Sequence, residues 1–317
     1  MAVASSNAPA SSLSVALGGA GTQNPPMRRV IVSLLFYFCA IVLLSILLTP
    51  PIWWLVDHFS HGHVPVKRVF NRTLMVAAMA LLWPLARYLK LADWRRCGLF
   101  FQAYAFSCVW PWFALGCSSI AVLYAGQGMA GLMIWQPHLN WRNLAGYGLS
   151  AVLVALLEET MFRGVLFLAF LRRNPTGNIV QALLGSVFFA TAHFLKAENP
   201  SLPVSWGTGL EIWHGMALHL LNPREFFMHW LTLFLAGLLL CAVAWRYGHL
   251  WAAMGLHAGW VFSLKTFNQL VENRPSDAGP WFSRDVMAGA WADIVLIVLL
   301  VLVLNFRRNE TLDRKLS

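Results

Sequence analysis

The sequence predicts an all-α membrane protein, a polytopic bundle of about eight transmembrane helices. Three observations carry that prediction. The chain of 317 residues is 58% hydrophobic and only 11% charged, with 16 Trp and a mean hydropathy of +0.61. That balance is far from a soluble domain and marks lipid as the main solvent. Apolar segments near the ~20 residues that a spanning helix needs recur along the chain, and the polar links between them are mostly short, with no internal repeat.

Residues 1–27 are rich in Ala, Ser, Gly and Pro and reach Arg28 without a charge. Such a stretch buries too little apolar surface to offset its ordering entropy, so a disordered tail is expected. Residues 28–306 form the expected membrane-embedded domain, with spans near 30–49, 74–92, 100–125, 144–171, 178–196, 227–246, 248–267 and 288–306. The first follows Arg28-Arg29, as a signal peptide would. Its apolar run is longer than a signal core of roughly 7 to 15 residues, and no small-residue cleavage site follows, so it reads as a span. Between spans five and six the run Trp206 to Leu221 is aromatic-rich and suits the membrane interface. Residues 307–317 are a short basic tail.

Eight spans place both termini on one side. Basic residues gather on that side, Arg28, Arg29, Arg87, Arg95 and Arg172 among them, against Lys67, Arg68 and Arg72 opposite. The positive-inside bias then predicts cytoplasmic termini in a plasma (inner) membrane. The net charge of +10 reads as this bias plus attraction to anionic lipid, not as a nucleic-acid footprint. Cys39, Cys97, Cys108, Cys117 and Cys241 show no CxxC spacing and read as buried small hydrophobes.

The informative anomaly is Glu158-Glu159 with Arg163, inside the apolar run 149–171. One charge at the centre of a membrane helix costs roughly 2.5 to 3.5 kcal/mol on insertion scales, so three need mutual pairing or a wet cavity. At 3.6 residues per turn Glu159 and Arg163 share a face, and Glu158 is turned about 100° away. Glu159 is therefore expected to pair with Arg163, leaving Glu158 to handle a proton. Two other spans carry histidines, His193 in FATAH and His257 in GLHAGW, where Gly255, Ala258 and Gly259 permit close helix approach. A carboxylate and two imidazoles can orient a water and stabilise an oxyanion. Taken alone, the cluster also suits an ion-paired knot between helices, or a metal held by Glu158, His193 and His257.

In order and spacing, EETMFR (Glu158 to Arg163), FATAH (Phe189 to His193) and GLHAGW (Gly255 to Trp260) resemble the three motifs of the CPBP intramembrane proteases. That family includes the Rce1-type CAAX prenyl endopeptidases, and its members are glutamic intramembrane proteases. The resemblance covers about 145–265 and implies an Rce1-like helical fold. It also implies that Glu158 with His193 activates a water for attack on a peptide carbonyl, that His257 stabilises the oxyanion, and that Glu159, Arg163 and Phe189 support them. No cofactor or resident metal is implied. Many members carry Asn four residues after the third-motif histidine, and this chain has Val261. A second oxyanion donor is then missing or comes from Asn268, Ser263 or backbone amides.

No HExxH, GxGD or GxSG motif is present, and GYGLSA at 146–151 does not fit a rhomboid nucleophile. The main alternative to a protease is a non-proteolytic membrane protein of the same fold: a proton-coupled transporter, a scaffold or an immunity protein. Asp57, His58, His61 and His63 have metal-like composition but read as a solvated loop. A cavity within the membrane implies a membrane-associated protein or peptide as substrate, lipidated or carrying a terminal anchor. His193, near the loop end of its helix, points to the extracytoplasmic half.

Overall fold

The computed structural model describes residues 27–61, 63–89, 97–99, 106–136, 139–168, 178–195, 197–200, 203–221, 226–273, 279, 281–283 and 285–305. Residues 1–26 and the basic C-terminal tail lie outside them, as do Arg95, Arg172 and the start of the expected third span. Among the described residues the helices are α1 (Met27–Ser60), α2 (Val66–Tyr88), α3 (Val109–Met129), α4 (Trp141–Glu159), α5 (Asn178–Ala192), α6 (Thr208–Leu220), α7 (Phe227–Tyr247), α8 (Trp251–Leu270) and α9 (Ala290–Asn305). Helix α4 runs on into a π-helical segment, Thr160–Leu168. The chain is thus an all-α membrane bundle, and each expected span holds a helix. By length and composition alone, four qualify to cross a membrane: α1, α2, α3 and α7.

Three boundaries differ from expectation. Helix α1 continues through Pro50 and Pro51 to Ser60, which puts Asp57 and His58 on its last turn and not in a loop. Proline lacks an N–H, so the carbonyls of Ile46 and Leu47 lose their helical donors. Helix α6 packs at this point: a Cβ on Gly209 would land on the Ile46 carbonyl. Only glycine allows that approach. The second difference is α2, which begins at Val66, so Lys67, Arg68 and Arg72 ride on its first turns. The third is a two-stranded antiparallel ladder, β1 (Met133–Trp135) with β2 (Val271–Asn273), pairing Met133 with Asn273. It joins the chain just after α3 to the chain just after α8.

The main core gathers α3, α7, α8 and α9 around Leu239, Leu240, Ala252, Ala253 and Leu256, with Ile120 and Tyr124 from α3. Helix α8 is at its centre, and every residue from Trp251 to Trp260 is buried. Its glycines explain how. A Cβ on Gly255 would meet the Val109 carbonyl, one on Gly259 the Phe113 carbonyl, and one on Gly116 the Leu256 carbonyl. Helices α3 and α8 therefore touch backbone to backbone, as small residues allow in lipid. Ala258 faces the other way and packs with Ala151 and Ala155 of α4. Trp260 donates from Nε1 to Ser119 Oγ at 2.9 Å, fixing the register with α3.

Candidate active site

Three elements converge on one site. Glu158 and Glu159 close α4, Arg163 lies in the π-helical segment, Phe189 is in the last turn of α5 with His193 just past its end, and His257 is central in α8. π-Helical turns inside helices are uncommon and concentrate at functional sites. The helix therefore changes its winding directly after the glutamate pair.

Arg163 Nη1 donates to Glu159 Oε1 at 2.9 Å, the i, i+4 contact the spacing predicts. His257 Nδ1 also reaches Glu159 Oε1, at 2.8 Å. An arginine-paired carboxylate accepts, so the imidazole donates and its Nδ1 carries the proton. The Arg163 guanidinium stands 4.1 Å from the Phe189 ring centroid, in cation–π contact. Phe189 thus supports the arginine with its ring and His193 with its backbone, because His193 Nδ1 donates to the Phe189 carbonyl at 2.8 Å.

With both Nδ1 atoms committed, both Nε2 atoms turn to Glu158. Each lies 3.8 Å from Glu158 Oε2. That separation is beyond a direct hydrogen bond and suits groups that share a third partner. Glu158 Oε2 is itself buried with no hydrogen-bond partner among the described residues. Exposure is graded across the site. The Glu158 and His193 side chains are 29% and 32% exposed, while His257, Glu159 and Arg163 are 8%, 0% and 1%. The Glu158 and His193 side is open, and the side of His257, Glu159 and Arg163 is sealed.

The structure brings together all six residues singled out by the sequence: Glu158, Glu159, Arg163, Phe189, His193 and His257. It does not bring the suggested second donors. Asn268 accepts from the Tyr124 hydroxyl at 2.7 Å and, eleven residues past His257, stands about 16 Å further along α8. Ser263 is buried six residues on, on another face. Backbone amides of His193, Phe194 and Leu195 are taken by carbonyls of their own turn. Val261 packs with Phe113, Phe262 and the alanine patch between α4 and α8. Among the described residues, no group of three or more His, Cys, Asp or Glu is arranged to hold a metal ion, the Asp57 to His63 cluster included.

Two intramembrane ionisable groups escaped the motif-based reading. Asp293, in the first turn of α9, accepts from Thr232 of α7 at 2.6 Å. Lys265 of α8 donates to Ser150 of α4. The signal for both was available, a lone charge in an apolar span, but neither belongs to a motif.

Neither a curated protein nor a solved structure matches the chain. Residues 140–263, from just before α4 to late in α8, match the model of the Rce1-like family, described as type II CAAX prenyl endopeptidase Rce1-like. That segment holds every residue of the site just built, and over it the chain is similar to the Rce1-like family.

Proposed function

We propose that the protein is a glutamic intramembrane endopeptidase that hydrolyses a peptide bond of a membrane-associated protein. The observation that carries this reading is the convergence of two imidazole Nε2 atoms on Glu158 Oε2, each at 3.8 Å with its Nδ1 already hydrogen-bonded. A neutral imidazole that donates from Nδ1 has a basic Nε2. Glu158 and His193 then flank a water and take its proton as it attacks the scissile carbonyl. His257 is held through Nδ1 by Glu159, and in this mechanism its doubly protonated ring donates from Nε2–H to the developing oxyanion. Arg163 pairs with Glu159 and so fixes the carboxylate that holds His257, and Phe189 holds both Arg163 and His193 in place. The oxygen attacking carbon comes from water, and the departing amine takes the proton that water gave up. With Val261 in place of a second donor, His257 is the one side chain assigned to the oxyanion.

The substrate is a protein or peptide held at the membrane by a lipid or a terminal anchor, in keeping with the prenyl-endopeptidase description of the family. The positive-inside bias sets the chain in the plasma (inner) membrane with cytoplasmic termini, which reporter fusions at either end test directly.

The decisive assay compares cleavage of quenched peptides, prenylated and transmembrane-tail substrates included, by wild type, Glu158→Ala, and wild type with chelator. Loss of a general base costs about 10²- to 10⁴-fold in rate, so Glu158→Ala is expected to lower kcat/KM by that much while chelator has no effect. Activity that survives Glu158→Ala removes the mechanism. Loss with chelator moves Glu158, His193 and His257 to metal ligands. No cleavage of any substrate favours a non-proteolytic member of the fold.

A further inference from the structure

Lys265 is a cation within the most buried helix of the bundle, and the mechanism does not use it. Its Nζ turns sideways to donate to Ser150 Oγ. Among the described residues no carboxylate pairs with it. An ionisable residue at such a position calls for a partner, and this chain supplies only a hydroxyl.

Its place in the fold indicates what the partner is. Helices α4 and α8 run antiparallel, since His257 meets Glu159 while Gln269 meets Tyr147. Lys265 is eight residues beyond His257, and Ser150 is eight residues before Glu158. The two pairs therefore occupy the same seam in the same register, about 12 Å apart at 1.5 Å per residue. Between them, at i+4 spacing from each end, stand Val154 on α4 and Val261 on α8. Glu158, Val154, Ser150, Val261 and Lys265 are all partly exposed, while Ala151, Ala155 and Ala258 are buried beneath. The seam is thus an accessible track with a hydrolytic end, an apolar middle and a cationic end. Valine in place of asparagine at 261 keeps that middle apolar.

Building on the protease reading, we propose that Lys265 is a specificity-determining residue that receives a carboxylate of the substrate three to four residues from the scissile bond. An extended peptide advances about 3.3 Å per residue, so 12 Å corresponds to that interval. A free C-terminus and an acidic side chain offer the same chemistry, a carboxylate for an ammonium in a partly buried site, where a charge-assisted hydrogen bond is strong.

The test uses the full chain in zwitterionic nanodiscs and lipid-anchored fluorescent peptides of one sequence. Their single carboxylate is the C-terminus, an Asp side chain at successive positions under an amidated end, or absent. Binding by anisotropy and cleavage are both read for wild type, Lys265→Met, Lys265→Arg and Ser150→Ala. Wild type is expected to bind the peptide with a correctly spaced carboxylate about tenfold tighter than the uncharged one. Lys265→Met erases that ratio, Lys265→Arg keeps most of it, and Ser150→Ala preserves it. The C-terminal and Asp series show which source of carboxylate is read. An equal ratio in wild type and Lys265→Met overturns the proposal. So does a Lys265 effect that appears only when phosphatidylglycerol is added, which makes the residue a lipid contact. Binding does not require hydrolysis, so a preference that follows Lys265 without cleavage tells against the protease reading and leaves only the carboxylate contact, whereas cleavage without the preference overturns the Lys265 assignment alone.

Discussion

Helix α8 contains two glycines, a histidine, a serine and a lysine, and buries every residue from Trp251 to Trp260. Helix α9 is unbroken Ile, Leu and Val from Ile294 to Leu304, yet buries only Ala292, Asp293, Leu296 and Val303. In water the assignment would be reversed. Lipid tails are as apolar as leucine, so hiding a leucine from them brings no hydrophobic gain. The interior is instead won by residues that let backbones touch or that need partners. The same contrast explains why neither α4 nor α8, which build the site, is among the four helices that qualify as spans by length and apolarity.

The largest structural effect expected from breaking this contrast is at Arg163, the biggest fully buried side chain among the described residues. Arg163→Met strands the Glu159 carboxylate, and removing one partner of a buried pair costs about 3 to 5 kcal/mol. Chemical or thermal unfolding in detergent measures that loss. Because Glu159 then orients His257 alone, kcat is expected to fall even at temperatures where the variant stays folded. Gly259→Leu comes next. Its side chain has only the Phe113 carbonyl and the Gly116 backbone to enter, and overpacking of this kind costs about 1 to 3 kcal/mol. A thermal shift in the same detergent checks it, and an unchanged midpoint would mean that α3 and α8 do not meet through backbone. The smallest effect belongs to α9: Val301→Phe, on a lipid-facing position that is 48% exposed, is expected to stay within about 0.5 kcal/mol. A loss as large as that of Gly259→Leu would show that α9 has a protein neighbour on its outer face.

How much of this was legible in the chain depends on the range of each interaction. The Glu159 to Arg163 pair was readable because helix pitch sets it within one turn, and it survives the change to π-helical winding after Glu159. Glycines flanking His257 were readable as a place of close packing, though which neighbour they meet was not. Helix ends were read less well: Pro50 and Pro51 look like a stop, yet α1 passes through them, with Gly209 of α6 packed against the Ile46 carbonyl they leave without a helical donor. The ladder of β1 with β2 left no pattern at three residues a strand.

The sequence by itself determined the all-α membrane class, the order of the three motifs and the six candidate residues those motifs carry, since composition and motif spacing are local properties. Only the tertiary structure decided that α8 is the central helix and that Lys265 shares a seam with Glu158. It also decided that the Nε2 atoms of His193 and His257 both turn toward one oxygen of Glu158. Those directions come from where separate helices touch, and contact between helices in lipid follows small residues and paired polar groups, which hydropathy along the chain does not record.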